Sequence, residues 1–474
     1  MGFTTERISN SDRAIDPSPV EKRAAYLAKL LALTHPGRDA SPFVALFQVD
    51  STANLVFQGI ETLQNQAAAR ILELAIPSPR DENWRFTDLS KLLALDLAAA
   101  AVAGQLDERH QQLDEGSFVP AEAIAPYCLP GTSRLVFVDG VYAAHLSDLG
   151  SVADTITLGQ GSSLTMTALE SLAKLPDADE VFTTLNTASF QDVAVIRAQP
   201  NAVLAQPIHL LFVSIADRTL AHPRCWIRAE TGSNITLIED YVSLGEGSSF
   251  TNAVTEVVLG ENTVVNHSRI QRENAQAVHI GKTAVIQARD SRYCNIAVQL
   301  GGGLSRHNLE VHHQGTQVQS NVYGLAIAAA DQLMDTHSNI QYNEPHCQSN
   351  QLYKAIATDR GRSVFNGRIN VPQKAQQTNA TQLNRNLLLS HRARIDTKPQ
   401  LEIVADNVKC THGATVSQLE DNQVFYLQSR GIDRVSAQKL LIEAFALEIL
   451  HKLPSEHLRQ TLATSVMRLT EEVL

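Results

Sequence analysis

From Pro207 to Leu427, more than two hundred residues read as short β-branched and apolar runs, with no convincing helix of ten residues among them. That is too much strand for one tight sandwich, so the fold must stack its strands over a long axis or split them. Glycines mark the stretch loosely. Gly232, Gly260, Gly281 and Gly302 stand 28, 21 and 21 residues apart, and Gly315 to Gly361 spans 46, about two further periods. The first three precede small strands, Ile235 to Ile238, Thr263 to Val265 and Ala284 to Ile286. A period of 20 to 28 residues built from strands alone predicts a β-solenoid. Asn308, Asn321, Asn339, Asn350, Asn366, Asn379 and Asn384 would then supply ladders that satisfy turn amides. The alternative is a jelly roll or large antiparallel sandwich. It would want more hairpin turns than the two clear ones, Asp139-Gly140 and Asn366-Gly367.

Helical periodicity flanks this stretch. Pro19 to Thr34 places Val20, Ala24, Leu27, Leu30 and Leu31 on one side, and Ile60 to Leu74 repeats the pattern. Pro77 and Pro79 interrupt it before the short segment Asp81 to Leu89, and Ala98 to Ala103 reads as a helix end running into Gly104. Leu135 to Val138 and Ile208 to Val213 are strand-like, with a helical stretch, Thr165 to Leu175, between them. After Arg430-Gly431 a stripe returns: Ala437, Leu440, Leu441, Ala444 and Phe445, with Gln438, Lys439 and Glu443 outside it. Pro454 opens a second helix to Leu474, with Leu458, Leu462, Val466, Leu469 and Val473 on one face. Such a helix pair serves equally as a solenoid cap or as a docking surface. The expected division is a helical region over 1–115, a β-helix core over 130–428 and a helical domain over 429–474.

The 474 residues suit about three domains, or one elongated unit with appendages. With 39 Lys+Arg against 50 Asp+Glu the net charge is −11, which argues against a nucleic-acid-binding surface. No run of about 18 apolar residues exists, so no membrane span is expected; the best candidate, Leu92 to Ala103, is broken by Asp96. Met1 to Asn10 carries no secretory pattern, and five scattered cysteines (Cys128, Cys225, Cys294, Cys347, Cys410) fit a reducing compartment. A cytoplasmic location is the expectation, bacterial rather than plastid given the Met1 start.

Little of the sequence announces chemistry. Gly281-Lys282-Thr283 looks like the end of a phosphate loop, but Gln276 replaces the earlier glycine and a strand follows, so it reads as a turn and no ATP site is expected. Gly301-Gly302-Gly303 reads as a coil corner. Acidic residues are sparse over 280–400, which disfavours a polysaccharide hydrolase. The informative run is Val408-Lys409-Cys410-Thr411-His412-Gly413-Ala414-Thr415. On a strand Cys410 and His412 share a face, and a thiolate beside an imidazole suits a soft metal or an iron–sulfur species. Two donors cannot close a site that wants about four. His312, His313, His337, His346 and Cys347 could supply the rest, or a second protein could. A buried cysteine and a hydrogen-bonded histidine at a strand end would look the same.

Several runs, taken in order, carry a resemblance: Ser363 to Gly367, Gln376 to Ala380, Asn386 to Ser390, Thr397 to Ile403, Val408 to Thr415, and Phe425 to Leu427 with Ser429 to Ile432. Together they resemble the SufB/SufD iron–sulfur cluster assembly family, and Asn83-Trp84-Arg85-Phe86-Thr87 looks like its N-terminal tryptophan motif. The Cys410–His412 run is similar to the SufD branch; Gln341 to Cys347 departs from the family's usual pattern. The resemblance implies a right-handed parallel β-helix (β-solenoid) between N-terminal and C-terminal α-helical regions, mainly β and not an enzyme. It implies a scaffold that pairs with SufB through the β-helix, with a homodimer possible without SufB. It also implies docking of the ATPase SufC through Ala437, Leu440, Leu441, Ala444 and Phe445. A transient iron–sulfur cluster would form between SufB and this chain, with His412 and Cys410 as its contacts here. Two other readings stay open: a stand-alone solenoid enzyme with its own metal, and a purely structural partner of SufB.

Overall fold

A computed structural model describes residues 18–34, 51–97, 119–150, 155–176, 178–215 and 217–471. The expected helix end at Ala98 to Ala103, the first ten residues and Val473 lie outside them. Two ten-stranded sheets stack coil upon coil. The first runs from Ser133–Val138 through Ile208–Ser214, Asn234–Ser243, Val264–Arg272, Arg292–Gln299, Gln319–Ala328, Gln348–Ala357 and Asn379–Leu388 to Lys409–Ser417. The second runs from Ala194–Ala198 through Arg224–Ala229, Ser249–Leu259, Val278–Gln287, Leu304–His313, Leu333–Tyr342 and Arg362–Val371 to Arg394–Ile403. Strands alternate between the sheets along the chain and pair in parallel within each, which makes a parallel β-solenoid. No helix of the described residues is long and apolar enough to cross a membrane.

The coil is longer than the glycine spacing suggested. Val264 pairs with Arg292, 28 residues on, Arg292 with Gln319, 27 on, Gln319 with Gln348, 29 on, and Gln348 with Asn379, 31 on. Two of the supposed turn glycines explain the discrepancy. Gly281 sits inside the strand Val278–Gln287, so Gly281-Lys282-Thr283 is not a turn; its missing Cβ makes room for the Arg269 guanidinium. Gly367 lies inside Arg362–Val371, so Asn366-Gly367 makes no hairpin. By contrast Asp139-Gly140, with both φ angles positive, does turn the antiparallel pair Ser133–Val138 and Val141–Tyr142. Gly302, at φ +83°, turns the coil corner before Leu304. The asparagines do not form turn ladders either. All seven lie in strands, and only Asn321 and Asn350 are register partners of one another.

The outer faces of both sheets are covered, so most strands are buried on both sides and period-two alternation is lost. Leu27, Leu30, Trp84, Leu89 and Leu92 from the N-terminal region cover Phe250, Val278, Ile280 and Leu304 of the second sheet. The segment Glu82–Leu93 is strapped down by a buried group. Arg306 lies 3.8 Å over the Trp84 ring, and its Nη1 donates to Asp335 at 2.7 Å and to Thr87. Two C-terminal helices, Arg434–Leu450 and Glu456–Glu471, cover Ile270, Ile296, Ile327 and Ile356 of the first sheet. Lys354 fastens the first of them, with Nζ 2.8 Å from the Phe445 carbonyl, 2.5 Å from Glu448 and 4.1 Å over the Phe445 ring.

Besides the single turn Ala121–Ile124, two nine-residue helices escaped the sequence reading. Val181–Ser189 is buried on every side, so it shows no amphipathic stripe, and its Thr and Ser residues are weak helix formers. Phe425 to Leu427 belong to a helix, Asp421–Ser429, and the strands end earlier, at Ser417. Only Val424 of that helix is buried, so its aromatics read as strand residues when taken without their surroundings.

Candidate functional site

The two ends of the solenoid differ. At one end the second sheet finishes in an antiparallel strand, Ile156–Gly159, and the first in the hairpin strand Val141–Tyr142. At the other end both sheets stop in parallel strands with an open edge, Arg394–Ile403 and Lys409–Ser417. Among the described residues nothing pairs with either edge. An exposed edge of this kind is a template for pairing with another chain, and folds that stay alone cap or cover it. The last strand has no fully buried residue.

Cys410 and His412 both lie on that last strand. Cys410 pairs in register with Ala380 and His412 with Gln382, both buried in the row above, so the two side chains share the face that looks into the lumen. Cys410 is half-buried against the solenoid core, and burial pushes its thiol above the usual cysteine range. It is therefore a neutral thiol at pH 7 until a metal or a neighbouring positive charge draws off its proton. His412 is exposed. The pair thus offers one sulfur and one nitrogen donor at an open mouth, half of what iron wants.

The other candidate donors do not join them. His313 faces the lumen elsewhere, with Nε2 2.8 Å from Ser320 Oγ. His337 stands 3.1 Å from Asp335 under the N-terminal strap. His346 lies in a turn at φ +62°, and Cys347 is buried, its Sγ donating to the Gly315 carbonyl at 3.3 Å. Among the described residues no three His, Cys, Asp or Glu side chains gather in a metal-holding group.

On the first C-terminal helix the predicted stripe lies on one side, as the 3.6-residue period requires, but its members are unevenly covered. Ile442, Ala446, Ile449 and Leu450 make the face packed on the sheet, while Ala437 is buried on the side that carries the stripe. Leu440 is 45% exposed and Ala444 is exposed, while Leu441 and Phe445 are half-buried. The stripe is thus left partly uncovered at Leu440 and Ala444, and on the preceding helix Phe425 (70% exposed) and Tyr426 (58%) are exposed as well. The linker Gln418 to Glu420 runs from the strand bearing Cys410 and His412 straight into the helix bearing Phe425 and Tyr426.

Sequence reasoning missed the polar filling of the lumen. His267 Nε2 is 3.1 Å from Glu239 and its Nδ1 2.8 Å from Tyr293 Oη, while His279 Nδ1 is 2.6 Å from Glu273. Burial alone would raise Glu273, but His279, Thr251 and Gln271 hold its carboxyl below the usual range. The residues are far apart in sequence and only the register unites them; the one local sign was Gly281.

Comparisons with known proteins give the chain its relatives. Residues 212–445 match the family model for the SufBD core domain of SUF-system iron–sulfur cluster assembly. A SufBD-family iron–sulfur cluster assembly protein of Synechocystis sp. is 42% identical over 420 residues, 85% of this chain and 90% of that protein. The iron–sulfur cluster assembly protein SufD of Escherichia coli is 34% identical, covering 83% of this chain and 89% of its own length. The chloroplastic protein ABCI7 of Arabidopsis thaliana is also 34% identical, covering 84% of each. With the strand bearing Cys410 and His412 at an open solenoid end and these relatives along most of its length, the chain belongs to the SufB/SufD family of iron–sulfur cluster assembly proteins, in the SufD branch.

Proposed function

We propose that this chain is a non-catalytic scaffold subunit of iron–sulfur cluster assembly that pairs with SufB through the open solenoid end and docks the ATPase SufC through its C-terminal helices. The observation that carries the reading is the uncapped end: two sheet edges finish together, and Cys410 and His412 stand on one of them. A partner solenoid that continues either edge brings its own donors to the same mouth. The nascent cluster is cargo, held between the chains by His412 and Cys410 here and by the partner's donors opposite. That division fits a chain that offers two donors where four are wanted.

The docking half of the reading rests on the uncovered apolar residues Leu440 and Ala444, with Phe425 and Tyr426 exposed on the preceding helix. Because only Gln418 to Glu420 separate this surface from the terminal strand, displacement of the helices is transmitted to that strand. A cavity of about 320 Å³, lined by Leu388, Leu389, Leu419 and Val424 among others, lies at this joint and leaves room for movement. An ATP-driven change in SufC that contacts the helices differently in its two nucleotide states would shift the mouth and open it to iron and sulfide. Alkylation of Cys410 in the full assembly then depends on ATP; a rate indifferent to nucleotide contradicts this mechanism.

The scaffold reading is tested by capturing proteins on the tagged full-length chain from its native extract, beside a version ending at Ser429. The full chain is expected to retain a paralogous solenoid protein and an ABC-type ATPase, and the truncation to lose the ATPase alone. A bait that comes down alone refutes the reading.

A further inference from the structure

His412 has a neighbour that no motif marks. In the parallel pair of Asn379–Leu388 with Lys409–Ser417, Gln382 is the register partner of His412. Register partners in neighbouring strands project to the same side, about 4.8 Å apart along the stack. Gln382 is buried, yet neither its Oε1 nor its Nε2 has a hydrogen-bond partner. Its amide reaches across the lumen towards Phe365 and Gly367, where a Cβ on Gly367 would collide with it. His412 is exposed, and among the described residues no hydrogen bond ties either of its ring nitrogens.

A buried primary amide with both ends idle is costly, and such groups in folded proteins have a use or a missing partner. An imidazole that binds a metal through one nitrogen needs an acceptor for the N–H of the other; that bond fixes its tautomer and aims its lone pair. Each residue here lacks what the other supplies. We propose that Gln382 is the positioning residue of His412, its Oε1 accepting the inward ring N–H so that the outward nitrogen faces the partner and its iron. The inference rests on the reading of His412 as a donor to the cluster.

The surroundings make the contact readable. On the lumen face of the last strand only Cys410 also titrates. Ala380, Asn384 and Asn386 on the adjacent strand are uncharged, as are Ile395, Thr397, Pro399 and Leu401 on the facing one, where Thr397 Oγ1 donates to Asn384 at 2.8 Å. A carboxylate placed at position 382 would therefore act on His412 without competition from another charge.

The test uses the full-length chain with Gln382→Glu and Gln382→Met, each checked by circular dichroism. Modification of His412 by diethyl pyrocarbonate is followed by mass spectrometry across pH. Gln382→Glu is expected to raise the midpoint by about one pH unit, the effect of a carboxylate beside an imidazole. Gln382→Met, which removes the acceptor, is expected to lower it slightly. In the assembly with its partners, Gln382→Met is expected to cut retained iron several-fold, and Gln382→Glu, which keeps an acceptor, to hold more than Met. An unmoved midpoint in Gln382→Glu overturns the contact and leaves Gln382 stacked on Gln351, its other register partner. If the glutamate variant does not fold, full iron in Gln382→Met overturns the role by itself. If His412→Ala also keeps its iron, the donor reading fails and this inference falls with it, whereas a failed midpoint shift leaves the donor reading standing.

Discussion

Replacing Lys354 by methionine should loosen the C-terminal helices without loosening the solenoid. The lysine side chain is 3% exposed, and it holds the helix Arg434–Leu450 by one carbonyl, one carboxylate and one aromatic face. Methionine keeps the apolar stem and removes all three polar contacts. A hydrogen bond from a charged donor contributes about 1.5–3 kcal/mol and a cation–π contact about 0.5–1 kcal/mol. The Glu448 pair adds little, because that carboxylate is 44% exposed. Desolvation of the ammonium offsets part of the sum, so the net loss is about 2–3 kcal/mol. At 1.4 kcal/mol per tenfold, helix opening should become roughly 30 to 150 times more frequent. Native-state hydrogen exchange reads this directly, as lost protection over 434–450 and 456–471 with the strands around Gln319–Ala328 unchanged. Equal loss across the molecule, or none, would refute the claim that Lys354 is a local fastening.

Three further outcomes follow from other contacts. Gly281→Ala puts a methyl group against the buried Arg269 guanidinium and should cost about 1–3 kcal/mol in urea unfolding, whereas a turn glycine at negative φ would tolerate the change. Arg306→Met leaves the buried Asp335 with only Thr87 and His337 beside it and should cost about 3 kcal/mol, with early proteolytic cleavage near the Trp84 strap; resistance equal to wild type would disprove the strap's anchoring. Glu239, Asp240 and Glu273 are held below their usual range against the pull of burial, by His267, Arg272 and His279 respectively as the chief partners. Depressed carboxyls stabilise the fold above about pH 4, where the unfolded chain ionises, and the benefit disappears as pH falls through their folded values. Urea midpoints should therefore drop steeply below pH 4, and less steeply in Glu273→Gln.

The solenoid was legible because it leaves a negative trace: two hundred residues without a helix, broken by glycines. Its period was not, since a glycine marks a tight place of any kind. Gly260 lies at a turn, but Gly281 makes way for an arginine and Gly367 for Gln382. Strands such as Ser249–Leu259, almost wholly buried on both faces, carry no alternation from which a register could be drawn. At the site, the spacing of Cys410 and His412 placed them correctly on one face, because two-residue periodicity is local. That the face opens at the solenoid's end, and that Gln382 lies above it, depends on pairing across about thirty residues, which no local pattern encodes. The helix stripe, a local pattern, was legible, but its covering was not. Ala437 and Leu440 lie on one side of the helical wheel, and only the surrounding packing makes the first buried and the second exposed.

The measurement that reaches the central claim most directly is hydrogen exchange on the intact chain, free and bound to its paralogous partner. If the open end is the pairing surface, amides of Arg394–Ile403 and Lys409–Ser417 should exchange quickly in the free chain and gain strong protection in the pair. Unchanged exchange there, with new protection appearing elsewhere on the surface, would contradict the account.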